Sequence, residues 1–317
     1  MNRTSGSTCK HGRRRYGQIL IICLVANCLD GSNMNHTAVC QCYLSVITVP
    51  KCCCVLAVRG VTQLHDVVYM VCSLSSAILR FNATTRQQLA DIGIKALRDP
   101  SDIVACEQTY QLYVADHPLC VWRVSADGAD IKLWLTKSST DTFEPTTLSV
   151  TSTRLLVTSR NTKQLIQLDS VGDELRRVQL PDNMEPWQAV ESPTATFIVS
   201  HENVQAMQWH INTNVPEQWQ ISEFNTDGQA LRQFTGSHPL GRRPHIAIDS
   251  LGNVFVADYR NRGICLLDAQ LRLRRLIIDE LQLNNRRPLR LCYREPTGQL
   301  LVALPVNSIA VFDVLCR

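Results

Sequence analysis

Several signatures of chemistry are missing from this sequence. It holds no G-x-S-x-G nucleophile elbow and no phosphate-binding glycine loop, so serine acyl transfer and P-loop nucleotide hydrolysis have no motif to rest on. No two cysteine pairs stand at metal-ligand spacing: Cys40-Gln41-Cys42 and the run Cys52 to Cys54 are too tightly spaced for a tetrahedral zinc site, and only His36 lies close. Excess charge is lacking too. Charged residues make up 19% with a formal net charge of +4, so attraction to nucleic acid or acidic surfaces must come from local clusters of Lys and Arg. The apolar stretch Gln18 to Leu29 is 12 residues long, too short to span a bilayer, and a membrane association is not expected.

That stretch follows Arg13, Arg14 and Arg15 and imitates the charged and apolar regions of a signal peptide. Sequons at Asn2, Asn35 and Asn82 are compatible with secretion. Eight of the 14 cysteines lie in the first 54 residues, whereas Cys106, Cys120, Cys265 and Cys292 sit in apolar β-type runs, where a thiol behaves as a small buried hydrophobe. Residues 1–41 are therefore expected to be a disordered or signal-like segment, and residues 42–317 a single domain. A cytoplasmic location is expected, with secretion as the alternative on the strength of Gln18 to Leu29.

What the sequence has is repetition. A β-rich run recurs as VVYMVCS from Val67, QLYVADH from Gln111, RLLVTSR from Arg154, TFIVSHE from Thr196, NVFVADY from Asn253 and QLLVALP from Gln299. A second run follows each: ILRFN from Ile78, VWRVS from Val121, LIQLD from Leu165, ISEFN from Ile221, ICLLD from Ile264 and IAVFD from Ile309. Turn clusters ending in Gly128, Gly172 and Gly228 come next, where glycine supplies the positive φ of a tight hairpin. Prolines at 100, 145, 186, 244 and 288 open five units at intervals of 45, 41, 58 and 44 residues. A period of four short strands near this length predicts an all-β, six-bladed β-propeller. The long interval is read as an enlarged loop between Glu202 and Trp219. The last unit ends after its third strand, so the strand about Cys42 to Val49 is expected to pair with it and close the ring.

The fifth unit, RPHIAIDSLGNVFVADYRNRGICLLDAQ from Arg243, resembles the NHL repeat in its apolar strand, D-x-x-G-N turn, V-A-D strand end and N-R segment. ISEFNTDGQALRQF from Ile221 resembles the segment joining successive NHL repeats. The likeness is to the NHL domains that end tripartite-motif proteins. It implies a binding platform or scaffold for a protein partner or single-stranded RNA. The RING and B-box modules of that family have no counterpart here, so ubiquitin ligation is not implied.

Propeller topology sends the connections from fourth to first strand, and from second to third, to one face. Arg98, Arg242, Arg243, Arg286 and Arg287 fall in the first kind, and Arg160, Lys163, Arg260 and Arg262 in the second. These nine are the candidate binding residues, sharing their face with Asp99, Asp116, Glu144, Glu185, Glu202 and Asp258. Arginine forks suit phosphates or acidic protein surfaces; solvated Arg and Asp pairs are the plainer reading. Trp187, Trp209 and Trp219 could stack bases there or pack between blades. His117 and His201 are read as equivalent second-strand ends, matched elsewhere by Arg160, Tyr259 and Pro305, which is no coherent ligand set. The expectation is a protein that is not an enzyme, with no catalytic residues, no metal, no cofactor and no small-molecule substrate. The alternative is a secreted metal-dependent propeller hydrolase or lyase.

Overall fold

A computed structural model describes residues 45–48, 57–117, 120–136, 142–203, 219–235, 240–305 and 308–314. They form six antiparallel four-stranded sheets. The first four blades are built from Val58–Leu64, Val67–Cys72, Ala77–Asn82 and Ile92–Gly93; from Pro100–Cys106, Gln111–Asp116, Cys120–Ser125 and Ile131–Thr136; from Pro145–Thr151, Arg154–Ser159, Gln164–Leu168 and Glu174–Gln179; and from Met184–Glu191, Phe197–Asn203, Trp219–Phe224 and Ala230–Gln233. Blade 5 comprises His245–Ile248, Val254–Asp258, Gly263–Leu267 and Leu273–Ile278. Blade 6 has Arg290–Arg294, Gln299–Leu304 and Ser308–Asp313 from its own repeat, and takes its fourth strand, Ser45–Thr48, from ahead of blade 1.

The closing strand runs antiparallel to Ser308–Asp313, with Ile47 opposite Ile309. Ile47 is 1% exposed and packs with Val58 and Val68 of blade 1 and with Leu301 and Val311 of blade 6. The expected closure is thus observed, and it removes a free sheet edge from each side of the seam. Residues 1–41 lie outside the described residues, as do 204–218 of the expected enlarged loop. Among the described residues no helix is long and apolar enough to cross a membrane.

The core is divided rather than central. Six apolar clusters each join one blade to the next, for example Leu64, Ile78 and Val71 of blade 1 against Ile103, Leu112 and Val114 of blade 2. Each second strand is buried on both faces, which explains its near-continuous apolar sequence; the fourth strands, at the rim, alternate or are mostly exposed. Gly128, Gly172 and Gly228 have φ of 81°, 108° and 79°, as the turn pattern requires. Gly228 meets a second demand, since a Cβ there would collide with the Gln179 carbonyl of the neighbouring blade.

Candidate functional site

The first strands neighbour one another around the axis, and all enter the disc from the face that carries the fourth-to-first connections. A β-bulge interrupts the start of this strand in blades 1 to 4, leaving Arg59, Ser101, Thr146 and Trp187 outside the ladder. The next residue is the same structural position in every blade. Gly60, Asp102, Thr147, Gln188, His245 and Arg290 face Val71, Ala115, Thr158, Ser200, Ala257 and Ala303 of their second strands.

Five of these six side chains reach to the blade ahead. Asp102 Oδ2 accepts from Leu148 N (2.9 Å), Thr147 Oγ1 donates to the Trp187 carbonyl (2.7 Å), and Gln188 Oε1 accepts from Ile246 N (2.7 Å). His245 Nδ1 accepts from Leu291 N (3.1 Å), and Arg290 Nε donates to the Arg59 carbonyl (2.6 Å). Blade 1 has only glycine, because a Cβ on Gly60 would stand 2.6 Å from Ile103 N. A buried polar belt therefore ties five of the six successive blade pairs near the axis, each bond satisfying a backbone group.

Burial sets the electrostatics of this belt. It pushes the Asp102 carboxyl up to about 6, against the nearby Arg290 cation and two backbone N–H donors that hold it down. It drives His245 well below the ordinary histidine value, with Arg290 acting in the same direction. Arg290 is itself lowered by burial; Asp102 opposes this, while the Arg59 and Arg243 cations add to it. Two of these cations stand over the Trp187 ring, whose centre is 4.6 Å from Arg243 Cζ and 5.1 Å from Arg290 Cζ.

Of the nine sequence-predicted residues, Arg243 stands by the Trp187 ring, and the other eight lie in the loops of the same face and are used unequally. Arg160 pairs with Glu185, and Lys163 donates to the Asp182 carbonyl. Arg286 donates to Ser308 Oγ (2.9 Å), and Arg262 stands 4.0 Å from Glu280. Arg98 is exposed between blades 1 and 2. Around blade 5, Arg242, Arg260 and Arg287 are exposed, and Arg287 Cζ lies 4.7 Å from the Tyr259 ring centre. A Cβ on Gly241 would collide with Arg260 N, so the loops bearing Arg242 and Arg260 touch.

Two of the acidic residues expected on this face are spent on the backbone. Asp258 Oδ1 accepts from the amides of Gly241 (3.1 Å), Arg260 and Asn261 (both 3.0 Å), stapling the incoming loop of blade 5 to its second-to-third turn. Asp116 does the same in blade 2 through Arg98 N, Asp99 N and Trp122 Nε1. This is what the V-A-D strand end is for: the aspartate fixes loops, and carries no free charge for a ligand.

The histidine reading needs correction. His201 faces Pro186 and Gln220, as Asp116 faces Pro100 and Cys120, so His201 is the counterpart of Asp116 and not of His117. It is buried against Ser222 Oγ (2.9 Å), and burial lowers it to about 4. Among the described residues no group of three His, Cys, Asp or Glu side chains is placed to hold a metal ion. Trp187 and Trp219 are buried between blades 4 and 5, and Trp209 lies outside the described residues. The belt and its arginines escaped the sequence reading, although a signal exists. Asp102, Thr147, Gln188 and Arg290 each stand two residues after a unit-opening proline.

No family model and no curated protein matches the chain. Its fold is similar to that of solved structures. A gluconolactonase from Xanthomonas campestris shares 13% identity over 87% of this chain and 90% of its own, with a TM-score of 0.63. Virginiamycin B lyase from Staphylococcus aureus shares 10% over 87% of this chain and 100% of its own, with a TM-score of 0.60. A chain of a nidogen–laminin complex shares 14% over 72% of this chain and 82% of its own, with a TM-score of 0.54. These likenesses agree with the six-bladed propeller. They also overturn the expectation that the chain is not an enzyme, because a hydrolase and a lyase carry the same disc as a chain of a protein–protein complex, and the fold alone separates neither class.

Proposed function

We propose that the protein is a binding platform whose partner, a protein with an acidic surface, docks on the loops around blade 5. The observation that carries this reading is the group Arg242, Arg260 and Arg287: the first two are exposed on loops that Asp258 fixes in place, and the third is exposed beside the Tyr259 ring. A cation on a stapled loop loses little conformational freedom on docking, and arginine forks bind carboxylates bidentately. The NHL-like residues of blade 5 and the resemblance to tripartite-motif domains favour the same face. Cys72, Cys106, Cys120, Cys265 and Cys292 are free, and burial raises the Cys72, Cys120 and Cys265 thiols to about 11.

The test compares the wild type with an Arg242→Ala, Arg260→Ala, Arg287→Ala variant. Partners recovered on immobilised wild type are identified and titrated against both proteins. Affinity at least about tenfold weaker in the variant, and weaker with added salt, is the expected result. Equal affinity in a folded variant, or a preference for single-stranded RNA over every protein recovered, would overturn the reading.

A further inference from the structure

Each blade turns from its first strand into its second on the face opposite the arginine-bearing loops, and each of these turns places one residue in the left-handed region. Blades 5 and 6 use Gly252 (φ 84°) and Gly298 (φ 62°), and blades 3 and 4 use the small Ser152 (φ 55°) and Ala195 (φ 59°). Blades 1 and 2 use His65 (φ 49°) and Tyr110 (φ 56°), bulky side chains for which this backbone is costly. Glycine makes the same turn elsewhere in the same ring without that cost, so turn formation does not account for the two aromatic residues. Strain retained at an exposed position points to a use.

The two rings are brought together at the surface. Tyr110 is 56% exposed and His65 is exposed beside it, their ring centres 4.9 Å apart and their planes 19° from parallel. Carboxylates flank the pair: Asp66 follows His65, and Glu107 begins the turn that ends in Tyr110, both of them exposed. Blade 6 holds the arrangement from below. Arg294 Nη1 and Gln63 Nε2 both donate to the His65 carbonyl, and Arg294 Nε stands 3.5 Å from Glu107 Oε1. The Arg294 side chain is only 12% exposed, against 46% for Glu107, so the surface presents the carboxylate and not its buried partner. Exposed ring faces bordered by acids attract a planar cation and repel phosphates.

We propose that the His65 and Tyr110 pair, with Asp66 and Glu107, is a docking site for an arginine side chain of a protein partner. The guanidinium lies against the exposed ring surface while its N–H groups donate to the carboxylates. A nucleic acid could also stack on these rings, but its phosphates would meet Asp66 and Glu107, which favours the arginine. The site is independent of the blade 5 reading, since it lies on the opposite face and takes a partner of opposite charge.

The probe is an end-capped pentapeptide with one arginine among glycines, set against its citrulline counterpart, which keeps the shape and loses the charge. Nuclear magnetic resonance of the whole protein follows the His65 and Tyr110 ring signals and the arginine side-chain protons during titration. The expected result is a saturable shift of both rings, with arginine protons moved upfield by the ring current and binding at least about tenfold weaker for citrulline. Tyr110→Gly removes one ring and relieves the backbone, so it should keep a Tm close to that of wild type while binding weakens at least about tenfold. Tyr110→Asn, which also tolerates the left-handed region, replaces it if the glycine protein does not fold. Asp66→Asn combined with Glu107→Gln should weaken binding to a similar degree, and the Arg242, Arg260, Arg287 variant should bind as wild type does. No saturable shift with the arginine peptide, equal affinity for the citrulline peptide, or unchanged binding to a folded Tyr110 variant overturns the site. Tighter binding of oligouridylate than of the peptide at the same rings overturns it as well and assigns the pair to RNA.

Discussion

Two zones of one face handle charge in opposite ways. Near the axis, Asp102, His245 and Arg290 are buried and committed to the backbone of the next blade. In the loops around blade 5, Arg242, Arg260 and Arg287 are exposed, and it is the aspartate beneath them, Asp258, that does the structural bonding. Distance from the axis decides which role a charged residue takes. At the axis six first strands converge and bury Asp102, His245 and Arg290, each of which is bonded to the backbone ahead; in the outer loops water solvates a charge at little cost.

The contrast breaks most sharply at Arg290. Replacing it with Met should remove the cation that holds the buried Asp102 carboxyl down and orphan the Arg59 carbonyl. A loss of about 2–3 kcal/mol in chemical denaturation is expected, the upper scale for a buried polar group left unsatisfied. A variant as stable as wild type would show that the belt is ornamental.

A smaller effect should appear with pH. His201 has a folded value of about 4 against an ordinary value of 6.5, so the unfolded chain takes up protons first. The stability it contributes is complete above pH 6.5 and falls as pH drops towards 4, by about 2 kcal/mol at pH 5. His245 is lowered too, and acts in the same direction. Asp102 runs the other way: its folded value of about 6 lies above the ordinary 3.8, so protonation of the folded state on going from pH 7 to pH 5 returns about 1 kcal/mol. Urea denaturation should therefore show a net loss between pH 7 and pH 5, and a steeper one in Asp102→Asn. A flat profile would mean that the histidines are charged in the fold.

The smallest expected effect belongs to the outer loops. Changing Arg242, Arg260 and Arg287 together to Ala should move unfolding by no more than about 0.5 kcal/mol per site, as for solvated surface residues. A loss of several kcal/mol would erase the distinction between the zones.

Much of the fold was legible in the chain. The recurring second and third strands matched the blades because a strand buried on both faces must be apolar along its length, and Gly128, Gly172 and Gly228 marked the hairpins because few other residues take that backbone. The closing strand was legible as a β run with no repeat of its own. The belt was not, since Asp102, Thr147, Gln188, His245 and Arg290 share a position and a task but no residue type. His201 was matched to His117 for a related reason: a one-residue offset is invisible in sequence until strand register is known.

The sequence by itself determined six repeats, their order, and which loops emerge together, because periodicity and turn chemistry are local properties of a chain. Only the tertiary structure decided which charged residues are buried and bonded across blades and which are exposed. Arg59 and Arg290 are 231 residues apart and become neighbours solely because the ring closes, and no local pattern encodes an encounter at that distance.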